Sequence, residues 1–389
     1  MLELLLLLLP LAVFCSWLMG RRYEKLLAQD GANDQTLQAS YFQGLNYLIN
    51  EEPDKAVDVF IKMLEVNSDT VETHLALGNL FRRKGEVERA IRVHQNLIAR
   101  PQLSSVQRKQ AMLELAQDYL RAGVLDRAEK LFLEVIKFGE DLSVSLRNLI
   151  HIYQLQKEWQ QAINMAMQLE VVNGVSMDKI IAHYYCELAE QIYDQANYSS
   201  DDVKCYLKKA LEHDENCARA SIILGKILFK EKKYDEAIEV FEKVGFQDED
   251  YVSEIIDLLY KSYLQLNRSD EFVAYVAQHI KNNPRSCYVL AMVDCICHDH
   301  GVAEALKYLA EQMPHCLSLR ALGKMLNLYL NYPDIELPMQ WSILEKFLGK
   351  LLANSSTYRC FHCGFSGKTL YWQCPSCRKW GTVKPIYDP

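Results

Sequence analysis

Glycine and proline are scarce in this chain, 16 and 10 of its 389 residues. A composition so poor in turn residues excludes a collagen-like chain and argues against a β-sandwich, whose short strands need frequent turns. An excess of positive charge is missing too. The formal net charge is −8, which disfavours nucleic-acid binding by the whole chain, because attraction to phosphates needs a clustered basic surface. No glycine-lysine phosphate loop, G-x-S-x-G elbow or H-E-x-x-H zinc motif occurs, and no other constellation reads as an active site. The chain is therefore expected not to be an enzyme. Disorder is excluded as well, since half of the residues are hydrophobic. The length exceeds one ordinary core of about 100 to 200 residues, so several domains or a repeat array is expected.

What the chain does contain is a recurring unit, cleanest over residues 75–97, LALGNLFRRKGEVERAIRVHQNL. Gly78 and Ala90 lie twelve residues apart, with Phe81 one turn after the glycine and Leu97 closing the second apolar run. This is the pattern of two packed antiparallel helices. A glycine inside a helix costs about 1 kcal/mol relative to alanine, so its presence makes sense where the facing helix must come close. Gly44 and Ala56, Ala116 and Ala128, and Gly225 and Ala237 repeat the twelve-residue spacing. The second markers Ala56 and Ala90, Ala128 and Ala162, and Val203 and Ala237 are each 34 apart. Aromatics recur at Tyr47, Phe81, Tyr119 and Tyr153, and again at Phe60, Phe132 and Phe241.

These types at these offsets resemble the tetratricopeptide repeat family over residues 37–314, in about eight copies. The copy around Tyr263, Phe272 and Pro284 lacks both small residues, and the one around Ile296 and Ala305 is weaker still. Apolar helical runs in residues 315–356 are expected to cap the array or to link it to the tail. The expected fold is an all-α superhelix, with a concave surface lined by the first helix of each pair. In this register the candidates for a peptide-binding groove are Asn79, Arg82, Arg83, Gln117, Arg121, His183 and Lys226. His183 reads as a packing histidine rather than a ligand.

Residues 1–20 read as a transmembrane anchor, with Glu3 the one charge in an apolar run. At about 1.5 Å per residue, 19 residues reach about 28 Å, close to the hydrocarbon thickness of a bilayer. No basic residue precedes the run and no small-x-small site follows it, so a cleaved signal peptide is not expected. Arg21, Arg22 and Lys25 come next and place the body in the cytoplasm by the positive-inside rule. Residues 21–36 read as a juxtamembrane linker.

Twelve cysteines are present, eight of them without paired spacing, as single buried thiols usually are. A reducing compartment suits that usage. The other four stand in residues 357–389 as two C-x-x-C knuckles, Cys360 with Cys363 and Cys374 with Cys377. Two knuckles at this separation can close four thiolates around one metal ion, iron or zinc, and Gly364 can take the left-handed backbone such a turn needs. The pattern C-x-x-C-G followed by C-P-x-C resembles rubredoxin-like and zinc-ribbon modules. His362 reads as a bystander, and Cys295, Cys297, His298 and His300 are not expected to form a second metal site. From Tyr358 to Tyr387 the tail carries +5 with no acid, which suits docking against an acidic helical body rather than nucleic acid. Phe365, Tyr371, Trp372 and Trp380 are expected to cover the metal loops or to pack on the helices.

The order of these features, together with MLELLLLLLP, GNLFRRKGEVERAIRVHQ and TLYWQCPSCRKW, resembles the lipopolysaccharide assembly protein B family of the Gram-negative inner membrane. The resemblance implies a single-pass inner-membrane adaptor. It would help the membrane ATP-dependent zinc protease degrade the deacetylase that commits precursors to lipid A, with other assembly proteins or a membrane regulator as further partners. A non-proteolytic scaffold for assembly enzymes and a redox protein with a tetrathiolate iron centre are the alternatives.

Overall fold

The computed structural model describes residues 42–44, 46–47, 55–57, 59–60, 71–139, 142–194, 199–283, 285–314, 318–331 and 339–386, without the side chains of residues 339 and 340. The anchor expected over residues 1–20 and the linker over 21–36 lie outside the described residues. Among those described, no helix is long and apolar enough to cross a membrane. The chain divides into two compact units, Met1–Gln156 and Lys157–Pro389.

The first unit contains α1 (Val71–Lys84), α2 (Val87–Ile98), α3 (Ser105–Arg121), α4 (Leu125–Lys137) and α5 (Leu142–Gln156). The small residues do what their spacing predicts. A methyl group on Gly78 would collide with the His94 imidazole of α2, and one on Gly44 would lie 2.7 Å from the Phe60 ring. The residue four places after each alanine thus presses into the facing helix, and in α2 a buried histidine stands where its neighbours have Phe60 and Phe132. The turns inside the pairs close with paired main-chain bonds: Gly85 N donates to Arg82 O at 3.1 Å and Glu86 N to Phe81 O at 2.9 Å. Gly85, at φ +84°, supplies the left-handed residue that this closure needs.

The second unit contains α6 (Trp159–Asn173), α7 (Asp178–Tyr193), α8 (Ser200–His213), α9 (Ala218–Lys230) and α10 (Tyr234–Gln247). A 3-10 segment, Glu249–Glu254, leads to α11 (Ile256–Gln265), α12 (Ser269–Asn282), α13 (Ser286–Asp299), α14 (Val302–Gln312), α15 (Leu319–Leu330) and α16 (Met339–Asn354). Gly225 is pressed by Phe241 as Gly78 is by His94. In the degenerate pair α11/α12, aromatics replace the small markers, and the Tyr260 and Phe272 rings pack 4.9 Å apart. The turn residues here are Lys232 at φ +62° and Asn267 at φ +54°, with Lys157 at φ +59° before α6. A side chain in that region costs about 1–2 kcal/mol, which the bonds from Lys233 N to Leu228 O and from Arg268 N to Tyr263 O offset.

After α16 the chain forms a three-stranded antiparallel sheet of order β2-β1-β3, with β1 (Tyr358–Cys360), β2 (Ser366–Gly367) and β3 (Val383–Pro385). Tyr358 pairs with Gly367 on one side, and Cys360 with Val383 on the other. Its own core is Cys360, Cys374 and Val383 with a few half-buried neighbours, too little to hold a fold by hydrophobic burial alone.

Candidate metal centre and its seat on the helices

Each knuckle turns back on itself through a main-chain bond from the residue after its second cysteine. Gly364 N donates to Cys360 O at 2.9 Å, and Arg378 N to Cys374 O at 2.8 Å. Gly364 is left-handed at φ +78° and Arg378 at φ +58°, so the second knuckle makes with arginine the bend that the first makes with glycine. The two loops bring Cys360, Cys363, Cys374 and Cys377 together, with all four sulfurs within 4.8 Å of one another. Cys360 Sγ is 3.8 Å from Cys377 Sγ, and Cys363 Sγ is 3.6 Å from Cys374 Sγ. Four sulfurs at about 2.3 Å from one ion in tetrahedral geometry would stand about 3.8 Å apart, so the donor set fits a single tetrathiolate metal. Iron and zinc both accept it.

The thiols are not equivalent. Burial works against ionising Cys360, yet Thr382 Oγ1 at 3.3 Å and the main-chain N–H groups of Cys363 and His362 outweigh it and lower the thiol to about 6. Burial raises Cys374 to about 11. His362 stands outside the thiol set, with its Nε2 2.7 Å from Lys379 Nζ. Among the described residues, Cys295, Cys297, His298 and His300 form no group of metal ligands. Cys295 is buried in α13, and His298 pairs outward with Asp299 at 2.6 Å.

The module does not hang free at the end of a tether. Trp380 packs against Trp159 with ring centres 6.0 Å apart, against Tyr184 at 5.8 Å and, stacked, on His183 at 5.2 Å. Trp372 packs on Tyr251 at 4.9 Å. Between the two indoles sits the Arg219 guanidinium, fully buried in α9 and paired with Glu187 at 2.8 Å and Glu190 at 2.7 Å. Polar bonds border this aromatic seat. Tyr251 donates to Val383 O at 3.0 Å, Tyr358 to Glu254 at 2.9 Å, and Lys384 bridges Asp248 at 2.7 Å and Asp250 at 2.8 Å. The basic tail thus meets acids of the helical body, as its charge predicts, while Phe365 and Tyr371 pack on each other at the module's own surface.

The seven groove candidates fare differently. Arg82 reaches Glu114 and Asp118 and donates to Asn79, while Asp118 also holds buried His94 at 2.5 Å. Arg82 and Asn79 therefore belong to a network inside the first unit. Gln117 is half-buried, and Arg83, Arg121 and Lys226 are exposed. His183 lies beneath Trp380, where burial first and the Arg219 charge second depress its pKa to about 3. The structure covers it rather than presenting it in an open groove.

Two of the cysteines without paired spacing meet in the structure. Cys186 in α7 and Cys217 at the start of α9 stand 31 residues apart in sequence but bring their sulfurs to 4.0 Å, and Cys205 is exposed rather than buried. No short-range spacing signals the pair, because the two residues meet through the stacking of different repeats.

Repeated helix pairs carrying a seated four-cysteine ribbon define a tetratricopeptide-repeat protein with a rubredoxin-type metal module. Family models agree, matching the rubredoxin metal binding domain over residues 358–385 and the tetratricopeptide repeat over 73–104 and 204–250. Lipopolysaccharide assembly protein B of Escherichia coli (strain K12) is 38% identical over 387 residues, 99% of this chain and 98% of that protein. Its namesake in Haemophilus influenzae is 34% identical over 397 residues, at the same coverage. The chain belongs to the lipopolysaccharide assembly protein B family.

Proposed function

We propose that this chain acts in lipopolysaccharide assembly as a membrane-tethered adaptor. It brings the lipid A-committing deacetylase to the membrane ATP-dependent zinc protease, so that the enzyme is degraded. The anchor over residues 1–20 spans the inner membrane and leaves the body in the cytoplasm. Tethering raises the local concentration of the body beside a membrane protease, and the exposed faces of the repeats hold the client. The observation that carries the reading is the near full-length likeness to relatives named for lipopolysaccharide assembly. The seated ribbon supports it by giving the metal module and the helices of the second unit one continuous surface.

The test is the half-life of the deacetylase after protein synthesis is blocked, in cells with the intact chain, without it, and with Cys360→Ser/Cys363→Ser at matched abundance. The enzyme is expected to persist in the second and third cases. An unchanged half-life would replace the adaptor with a non-proteolytic scaffold. A chain lacking residues 1–19 that controlled the enzyme normally would sink the tether.

A further inference from the structure

The buried thiols of Cys186 and Cys217 belong to the two helices that seat the metal module through His183, Tyr184 and Arg219, and they stand outside its four-cysteine set. Their sulfurs touch at 4.0 Å, with Cys186 fully enclosed and Cys217 nearly so. Cys217 is the N-cap of α9, where the positive end of the helix dipole favours a thiolate. Arg219, two residues on, places its guanidinium in electrostatic reach of both sulfurs, and its Nε and Nη1 find no hydrogen-bond acceptor among the described residues. Arg219 is in turn roofed by Trp372 and Trp380. Arg219 thus lies in electrostatic reach of the thiol pair while it stacks on the two indoles of the ribbon.

We propose that Cys186 and Cys217 form an oxidisable dithiol that closes to a disulfide with a hydroperoxide once the ribbon leaves its seat. The two sulfurs divide the chemistry. Contact with Cys186 and the Ala220 N–H lower the pKa of Cys217, whereas burial raises that of Cys186. Cys217 gives up its proton and the thiolate attacks the peroxide: an S–O bond forms, the O–O bond breaks, and the departing alkoxide, or hydroxide from hydrogen peroxide, takes that proton to become the alcohol or water. The Cys186 thiol then attacks the sulfenic sulfur. An S–S bond forms, the S–O bond breaks, and hydroxide leaves with the Cys186 proton as water. Two thiols are oxidised and one peroxide reduced, with no other reactant.

The sulfurs must close from 4.0 Å to about 2.05 Å, and with Cys186 fully buried and Cys217 nearly so, no peroxide reaches them while the ribbon keeps its seat. While Trp372 and Trp380 clamp the guanidinium, the thiols stay reduced and out of reach. When they lift, a small peroxide reaches Cys217.

The experiment uses the full metal-loaded chain in detergent, exposed to hydrogen peroxide, acid-quenched, alkylated and digested without reductant. Mass spectrometry then quantifies the peptide pair joined through Cys186 and Cys217. Two proteins with unseated ribbons are compared with wild type: Trp380→Ala/Lys384→Ala, and Cys360→Ser/Cys363→Ser. Far-UV dichroism checks that their helices persist. The joined pair is expected to form faster by about tenfold or more in both variants, because local opening limits access to a buried thiol. Loss of exposed Cys205, which reports general oxidation, should match wild type. Cys217→Ser in either background should abolish the joined pair. Equal rates in wild type and both variants, or consumption of Cys205 with no joined pair in the variants, would overturn the proposal.

Discussion

Arg219 holds its guanidinium carbon 5.8 Å from the centre of the Trp380 ring, although 161 residues separate the two in sequence. Trp372 lies on the same group at 5.6 Å, and Glu187 and Glu190 take one of its nitrogens. A planar cation between two aromatic faces cannot be replaced by a compact ammonium. Arg219→Lys should weaken seating of the ribbon by about 1–3 kcal/mol, from the lost cation–π contacts and the loosened carboxylate pairs. Thermal unfolding followed by near-UV dichroism of the indoles checks this. An unshifted transition would mean that the stacking contributes nothing.

Removing the metal should release the ribbon without melting the helices. The ribbon core is three buried residues, so its folding free energy is supplied by the ion, whereas the stacked helix pairs share one large apolar core. Titration with a strong chelator should abolish the near-UV signal of Trp372 and Trp380 and leave the far-UV helical signal nearly intact. Parallel loss of both signals would contradict this division.

Acid should loosen the seat through His183. Burial, with Arg219 adding to it, holds the seated imidazole at about 3 against an ordinary value of 6.5. Below 6.5 the unseated histidine binds a proton and the seated one does not. Seating is therefore complete above that pH and weakens as pH falls towards about 3. The slope is about 1.4 kcal/mol per unit, or about 2 kcal/mol at pH 5. Protease sensitivity of the segment between α16 and β1, read against metal content, should rise between pH 6.5 and 5 in wild type. His183→Gln should flatten that part of the curve. An identical profile in both proteins would rule His183 out.

Gly225→Ala tests the helix crossing. Its methyl group would run into the Phe241 ring, which is fully buried and has no room to retreat. The change should destabilise the second unit by about 1–3 kcal/mol, as overpacking does. Phe241→Leu in the same chain should recover part of the loss, measured by urea unfolding. An additive double variant would mean that the two positions do not share the strain.

The four metal ligands are legible because their chemistry is local: two C-x-x-C turns and a glycine specify the knuckles before any helix is placed. Gly78, Gly225, Ala90 and Ala237 are legible for a similar reason, since the crossing of two neighbouring helices recurs with the period of the repeat. Lys157, Lys232 and Asn267 give no such sign. Their left-handed backbone is imposed by the helices on either side, and nothing in a lysine announces it.

Composition and period alone thus determined a chain of helix pairs ending in a four-thiolate ribbon, because helical pairing and metal-ligand spacing are short-range properties of the backbone. Only the tertiary structure decided that Trp380 covers His183, that Arg82 turns inward to Glu114 and Asp118, and that Cys186 meets Cys217. These contacts join residues tens to hundreds of positions apart. Their partners are chosen by which faces the stacked repeats bring together, and no periodicity in the sequence encodes that choice.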